Sequence, residues 1–188
     1  MFDDFSERLF AHFVAGHWRA PLGDETHAVL SHRGTLLGQV VAAGPPDVAR
    51  AVAVRRGTDR QGCQRLADRV ASAAGGLAQA YALQTGRDLD LAHITQMAEQ
   101  IDAPASARGG LIFTAQETEL AAFARALGAG LQGGVIWCPP AGQAVFATAF
   151  ACLVQQADLP AGAFALLHTR VSATETALRA TQLDILAA

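Results

Sequence analysis

Three cysteines, six histidines and the aspartates Asp88 and Asp90 are the side chains here whose types suggest chemistry. Cys63, Cys138 and Cys152 lie far apart, with no C-x-x-C pair and no spacing of a zinc site or a disulfide framework. Cys138 is the one candidate nucleophile. It follows a β-rich run from Gly134 to Trp137, and α/β proteins place active groups at the carboxyl ends of strands. A thiolate there attacks an electrophile only if a nearby positive group lowers its pKa. The plainer reading is a small apolar residue leading into Pro139-Pro140. Arg60-Gln61-Gly62-Cys63 reads as the start of a helix rather than a reactive loop. His12, His17, His27, His32, His93 and His168 form neither H-x-H nor H-E-x-x-H, so no metal site is expected. Asp88 and Asp90, two apart, would not share a helix face and are read as solvated rather than as an acid/base pair. The glycines from Gly128 to Gly134 precede a strand, the wrong side for a phosphate cradle, and read as a turn.

The elements that must position these residues follow from periodicity. Phe2, Phe5, Leu9 and Phe13 recur at spacings of three and four, which predicts an amphipathic helix packed on the protein's own core. Ala28–Ser31 and Thr35–Val41, separated by His32-Arg33-Gly34, predict a hairpin. Asp47 is expected to cap a helix through Val54, and Asp59 or a nearby residue to open another that runs through Leu66, Val70, Leu77 and Tyr81 to a stop at Gly86. A helix is expected from Leu91 to Ile101. Leu111-Ile112-Phe113 reads as a short strand, and Thr114 to Glu117 has the T-x-x-E form of a capping box, opening a helix that Gly128, Gly130, Gly133 and Gly134 break. Beyond it the pattern is strand (134–137), loop (138–142), helix (145–156), strand (164–168), helix (174–180) and strand (183–186), which implies βαβ crossovers and a mostly parallel sheet.

Composition excludes several classes. A chain of 188 residues that is 51% hydrophobic can bury a core by itself. Its formal charge of -3 and scattered basic residues offer no stripe for nucleic acid. The longest apolar run, Ala144 to Val154, falls well short of the roughly 20 residues that span a bilayer. The start Met1-Phe2-Asp3-Asp4 has no secretory pattern, so a cytoplasmic protein with reduced thiols is expected.

Several segments, in the right order, resemble the N-terminal half of the aldehyde dehydrogenase family. Phe13-Val14-Ala15-Gly16-His17-Trp18 resembles its F-I-x-G-x-W, Gly34 to Val40 its following hairpin strand, Asp47 to Val52 its D-V-x-x-A-V, and Leu83-Gln84-Thr85-Gly86-Arg87 its E-T-G-K. Gly134-Val135-Ile136 with Pro139-Pro140 resembles the first Rossmann strand and its loop, and Ala157 to Phe164 resembles A-G-L-P-P-G-V-F. On this alignment the oxyanion-stabilising Asn of the family falls on Gly142, which has no side-chain donor. The second Rossmann strand, with the K-P-[SA]-E that grips the adenosine ribose, is read as deleted between Gln143 and Ala147. No lysine exists to replace its own, because all fourteen basic residues are arginines. The sequence stops where the family continues into F-T-G-S and the domain of the nucleophilic cysteine, and Gly128–Gly133 is too short for the family's oligomerisation hairpin.

The resemblance therefore implies a single α/β domain over 1–188: an N-terminal helix and hairpin (1–44), a helical region (45–133) and a partial Rossmann-like βαβαβ unit (134–188). The expected role is a non-catalytic subunit or scaffold, similar to the inactive second domain of long family members. Its partner would be a full-length aldehyde dehydrogenase homologue or a second copy of itself, with no nucleic acid and no membrane. No cofactor is expected, NAD being the only candidate. The alternatives are a small NAD(P)-dependent aldehyde oxidoreductase using Cys138 or a partner's residues, and a small-ligand sensor using a residual cleft.

Overall fold

The computed structural model describes residues 9–103, 109–115, 118–169, 178–179, 181 and 183–186. Its N-terminal segment forms strands β1 (Leu9–Phe10), β2 (His12–Val14) and β3 (His17–Arg19). The helix expected over Phe2–Phe13 is thus replaced by strands from Leu9 onward, and its first part lies outside the described residues. Ala15 and Gly16 explain this. Both hold positive φ, the pattern of a two-residue type I′ turn, so β2 and β3 close into a hairpin with Val14 opposite His17. Residues 12–14 are all buried, because Phe13 pairs with Leu166 and brings the hairpin onto the main sheet.

The second hairpin, β4 (Thr26–Leu30) and β5 (Leu36–Val41), forms where the sequence placed it, with Gly34 at positive φ in the connection. Helix α1 (Pro45–Val54) begins one turn earlier than expected, because two prolines fit its first positions and Gly44 is its cap residue. Asp47 works from inside that first turn, its carboxylate accepting the N–H groups of Leu22 at 2.9 Å and Gly44 at 3.0 Å.

Asp59 caps α2 (Arg60–Ser72) as expected, accepting from the Gly62 N–H at 2.8 Å. The long helix expected to follow is two helices, with α3 (Ala74–Thr85) starting after Ala73, where Gly75 and Gly76 weaken helical continuity. Gly86, in the left-handed conformation, ends α3. Helix α4 (Leu91–Asp102) is followed by strand β6 (Gly110–Phe113) and helix α5 (Leu120–Leu131). Thr114 does not cap α5: Glu119 is the cap residue and Thr114 is engaged elsewhere, while Glu117 of the expected capping box lies outside the described residues. Gly128 and Gly130 do not break α5 either. At Gly128 a Cβ would lie 2.1 Å from the Gln100 carbonyl oxygen, so glycine lets α5 lie close against α4.

Strand β7 (Val135–Cys138), a short 3-10 turn (Ala141–Gln143), helix α6 (Ala144–Gln156), and strands β8 (Phe164–Leu166) and β9 (Asp184–Leu186) complete the described chain. The small sheet has the order β1-β5-β4 and the large one the order β3-β2-β8-β7-β6-β9. Within the large sheet β8, β7, β6 and β9 are parallel neighbours. Numbered in chain order from β6, this run reads 3-2-1-4, the doubly wound order.

That order corrects two expectations. Strand β6, the short strand expected at 111–113 within the helical region (45–133), is the first strand of the doubly wound unit, so that unit begins before residue 134. Strand β7 is then the second strand, which is present rather than deleted. Alternation along β7 splits the core. Val135 and Trp137 join the cluster of α2, α4, α5 and α6, with Phe123 only 4.2 Å from Trp137 between ring centroids. Ile136 and Cys138 face the smaller cluster that includes Val48 and Ala51 of α1.

Candidate functional site at the carboxyl edge of the sheet

The carboxyl ends of β6 and β7 are where a doubly wound sheet presents its chemistry. Cys138 ends β7 but is 2% exposed, packed with Val14, Leu111 and Leu167 on the α1 side. It does not open onto the cleft described below. Cys63, buried in α2, has its thiol pKa raised by burial and then by the Asp102 and Asp59 carboxylates, and burial also raises that of half-buried Cys152. Both shifts disfavour the thiolate.

What occupies the edge is a chain of hydrogen bonds. The Trp137 indole donates to Thr114 Oγ1 at 3.1 Å, and that hydroxyl donates to Gln143 Oε1 at 2.6 Å. Gln143 Nε2 donates in turn to the Ala115 carbonyl at 2.7 Å. Beside it Gln84, 6% exposed at the end of α3, donates to the Ala141 carbonyl at 2.7 Å and accepts the Val145 N–H at 2.9 Å. Gln84 thereby caps α6 from a different helix, filling the amide position that a helix start offers to an anion. Sequence reasoning noted Gln84 only as part of a motif and read Thr114 as a cap; hydrogen bonds between residues 29 to 61 positions apart leave no local signal.

Outside this network a cleft of about 440 Å³ opens between α3 and the β4–β5 hairpin, lined by residues including Ser31, His32, Tyr81, Thr85 and Arg87. A narrower apolar slot, lined by Leu120, Phe123, Trp137 and Phe146, adjoins it through Tyr81, Gln84, Thr85 and Gly142. Gly142 lies in the turn after the second strand. The loop after the first strand begins at Thr114, so matching Gly142 to the oxyanion-stabilising Asn does not hold. Two strand–helix units with alike apolar runs, 111–113 and 135–137, made the misassignment possible.

The other sequence candidates fall elsewhere. Asp90 caps α4 by accepting from the Ala92 N–H at 2.9 Å, while Asp88 is exposed. Two histidines that no motif linked, His12 and His168, are brought together, both fully buried with ring centroids 5.8 Å apart. His12 Nδ1 accepts the His168 N–H at 3.2 Å, and its Nε2 lies 3.8 Å from Asp47 Oδ2. Burial lowers the His12 pKa to about 4 against the raising charge of Asp47, and lowers that of His168 to about 3 with help from His12. Among the described residues no group of three His, Cys, Asp or Glu side chains could hold a metal, and no helix is long and apolar enough to cross a membrane.

This is an α/β architecture whose parallel strands run in the doubly wound order. The more particular likeness is to solved aldehyde dehydrogenases. The chain is 15% identical to an NAD-dependent aldehyde dehydrogenase from Sinorhizobium meliloti, covering 95% of this chain and 45% of that one, with a TM-score of 0.76. It is 21% identical to a mutant of aldehyde dehydrogenase C from Pseudomonas syringae in complex with NAD+ and octanal, covering 92% of this chain and 43% of that one, with a TM-score of 0.68. HpcC from Thermus thermophilus is similar at 22% identity and a TM-score of 0.77, over 93% of this chain and 42% of its own. No family model and no curated protein matches the chain. The chain has the aldehyde dehydrogenase fold over somewhat less than half the length of those enzymes.

Proposed function

We propose that the chain is a non-catalytic subunit of aldehyde dehydrogenase fold that assembles with a complete enzyme of that fold. The observation that carries this reading is the state of the carboxyl edge. Cys138 is sealed on the α1 side, Thr114 and Gln143 are bonded to each other, to Trp137 and to backbone, and Gln84 is bonded to backbone, rather than held ready for a substrate. With β7 as the second strand, the resembled K-P-[SA]-E falls on Cys138-Pro139-Pro140-Ala141, which has neither the lysine nor the glutamate. The ribose grip implied by the resemblance is missing from that segment. Strand β9 offers an edge for assembly: among the described residues it ends the large sheet, with Ile185 46% exposed.

The test is co-purification of the tagged chain from its own cells, with light scattering of what elutes. A stoichiometric complex with a full-length aldehyde dehydrogenase is the expected result. A lone monomer or homo-oligomer, or an NAD+-dependent oxidation of aldehyde by the pure chain that disappears in Cys138→Ala, overturns the reading.

A further inference from the structure

The cleft between α3 and the β4–β5 hairpin is rich in donors and poor in acceptors. No aspartate or glutamate lines it. Arg87 stands at its rim, and among the described residues its guanidinium has neither an ion pair nor a hydrogen bond. The Ser31 hydroxyl accepts the Thr35 N–H at 3.0 Å, which leaves its own proton for a ligand, and the Tyr81 hydroxyl has no partner among the described residues. The imidazole of His32 is held between the Leu83 carbonyl and the Arg33 guanidinium, both at 3.2 Å, which fixes the Nδ1–H tautomer and one wall of the cleft. Behind Tyr81 lies the apolar slot, about 20 Å³ against Trp137 and Phe146, room for a group of about methyl size.

We propose that this cleft binds a small organic carboxylate, its anionic end on Arg87 and its apolar end over Tyr81 towards the Trp137 slot. A guanidinium fork matches the two oxygens of a carboxylate. A phosphate dianion fits less well, because no second arginine lines the cleft to balance its charge. The volume suits a compact molecule, with polar groups that orient it at one end and aromatic surface at the other. The site does not depend on the subunit reading: it is complete within this chain and would operate whether or not the chain assembles with an enzyme.

Titration calorimetry on the full chain with benzoate tests it, with acetate, inorganic phosphate and benzylamine as controls. Saturable benzoate binding with a Kd on the order of 0.1–1 mM is expected. Acetate, without an apolar end, should bind at least about tenfold more weakly. Arg87→Gln, at an exposed position, should weaken benzoate about tenfold, whereas Arg19→Gln, exposed on β3 and outside the lining, should stay within about twofold. Tyr81 is the only tyrosine of the sequence, so its ring resonances report occupancy directly. Absence of saturation by about 10 mM benzoate, equal binding by Arg87→Gln, or phosphate or benzylamine binding as well as benzoate overturns the proposal. None of these outcomes bears on co-purification with an enzyme.

Discussion

The two faces of strand β7 treat buried polarity in opposite ways. On the side of α5 and α6, the Trp137 indole, Thr114 and Gln143 form a chain of hydrogen bonds with Gln84 bonded to backbone beside it, and each group has a partner at 2.6–3.1 Å. On the side of α1, His12 and His168 beside Asp47 are as deeply buried but under-paired. Neither ring nitrogen of His168 makes a hydrogen bond of good geometry, the Ala11 backbone being the one group that favours its protonated form, and His12 Nε2 stands off from Asp47. Hydrogen-bonded amides and hydroxyls do not titrate, so the first face is indifferent to pH. Imidazoles forced neutral by burial make the second face a liability in acid.

The largest expected effect breaks the first face at its centre. Trp137→Ala removes the ring against which Phe123, Phe146, Phe150 and Phe164 pack and strips Thr114 of its donor. A loss of about 3–5 kcal/mol is expected, read as a fall in denaturation midpoint at constant m. A loss below about 1 kcal/mol would mean that the aromatic cluster is not the centre of the core.

Acid comes next and acts on the second face. Both histidines have folded-state pKa values below the ordinary 6.5, at about 4 and about 3. The unfolded chain therefore takes up protons first as pH falls. Stability is level with respect to these groups above pH 6.5 and declines below it, until pH passes the folded values. The slope is at most about 1.4 kcal/mol per pH unit per histidine, so roughly 2–4 kcal/mol is lost by pH 5. His168→Leu, which removes two unpaired nitrogens from an apolar setting, should halve that slope and cost little at pH 8. Denaturation midpoints for both chains between pH 8 and 5 check this, and parallel curves would show that His168 does not titrate against the fold.

Much of the architecture was legible in the sequence. The second hairpin, the Asp59 cap, the stop at Gly86, and the strands and the 145–156 helix of the last third rest on local chemistry, and each is present; the helix expected over 174–180 lies mostly outside the described residues. The N-terminal helix was misread because a period of three to four among four apolar residues outweighed the Ala15-Gly16 turn, whose meaning depends on β8 standing ready to pair with Phe13. The strand numbering was misread because Leu111-Ile112-Phe113 and Val135-Ile136-Trp137 are equally apolar, and only sheet order distinguishes first from second. The polar edge and the histidine cluster join residues 23 to 156 positions apart, a separation that no spacing rule reaches.

The smallest effect sharpens the comparison most. Gln84→Ala leaves the Val145 N–H and the Ala141 carbonyl without their partner, an expected cost of about 1–2 kcal/mol for an inter-helix cap. Gln84→Glu installs the residue that the resembled E-T-G-K carries at this position. A carboxylate still accepts the Val145 N–H and gains from the positive end of α6, but it cannot donate to the Ala141 carbonyl. At pH 8 these contributions oppose each other, and a change within about 0.5 kcal/mol is expected. As the carboxylate is protonated in mild acid, the dipole contribution disappears and the variant should lose stability more steeply than the parent. Such a variant would have a titrating group on both faces of β7. If its pH profile instead overlays that of the parent, the Gln84 side chain is a spacer between α3 and α6 rather than a cap, and the contrast between the two faces fails at that point.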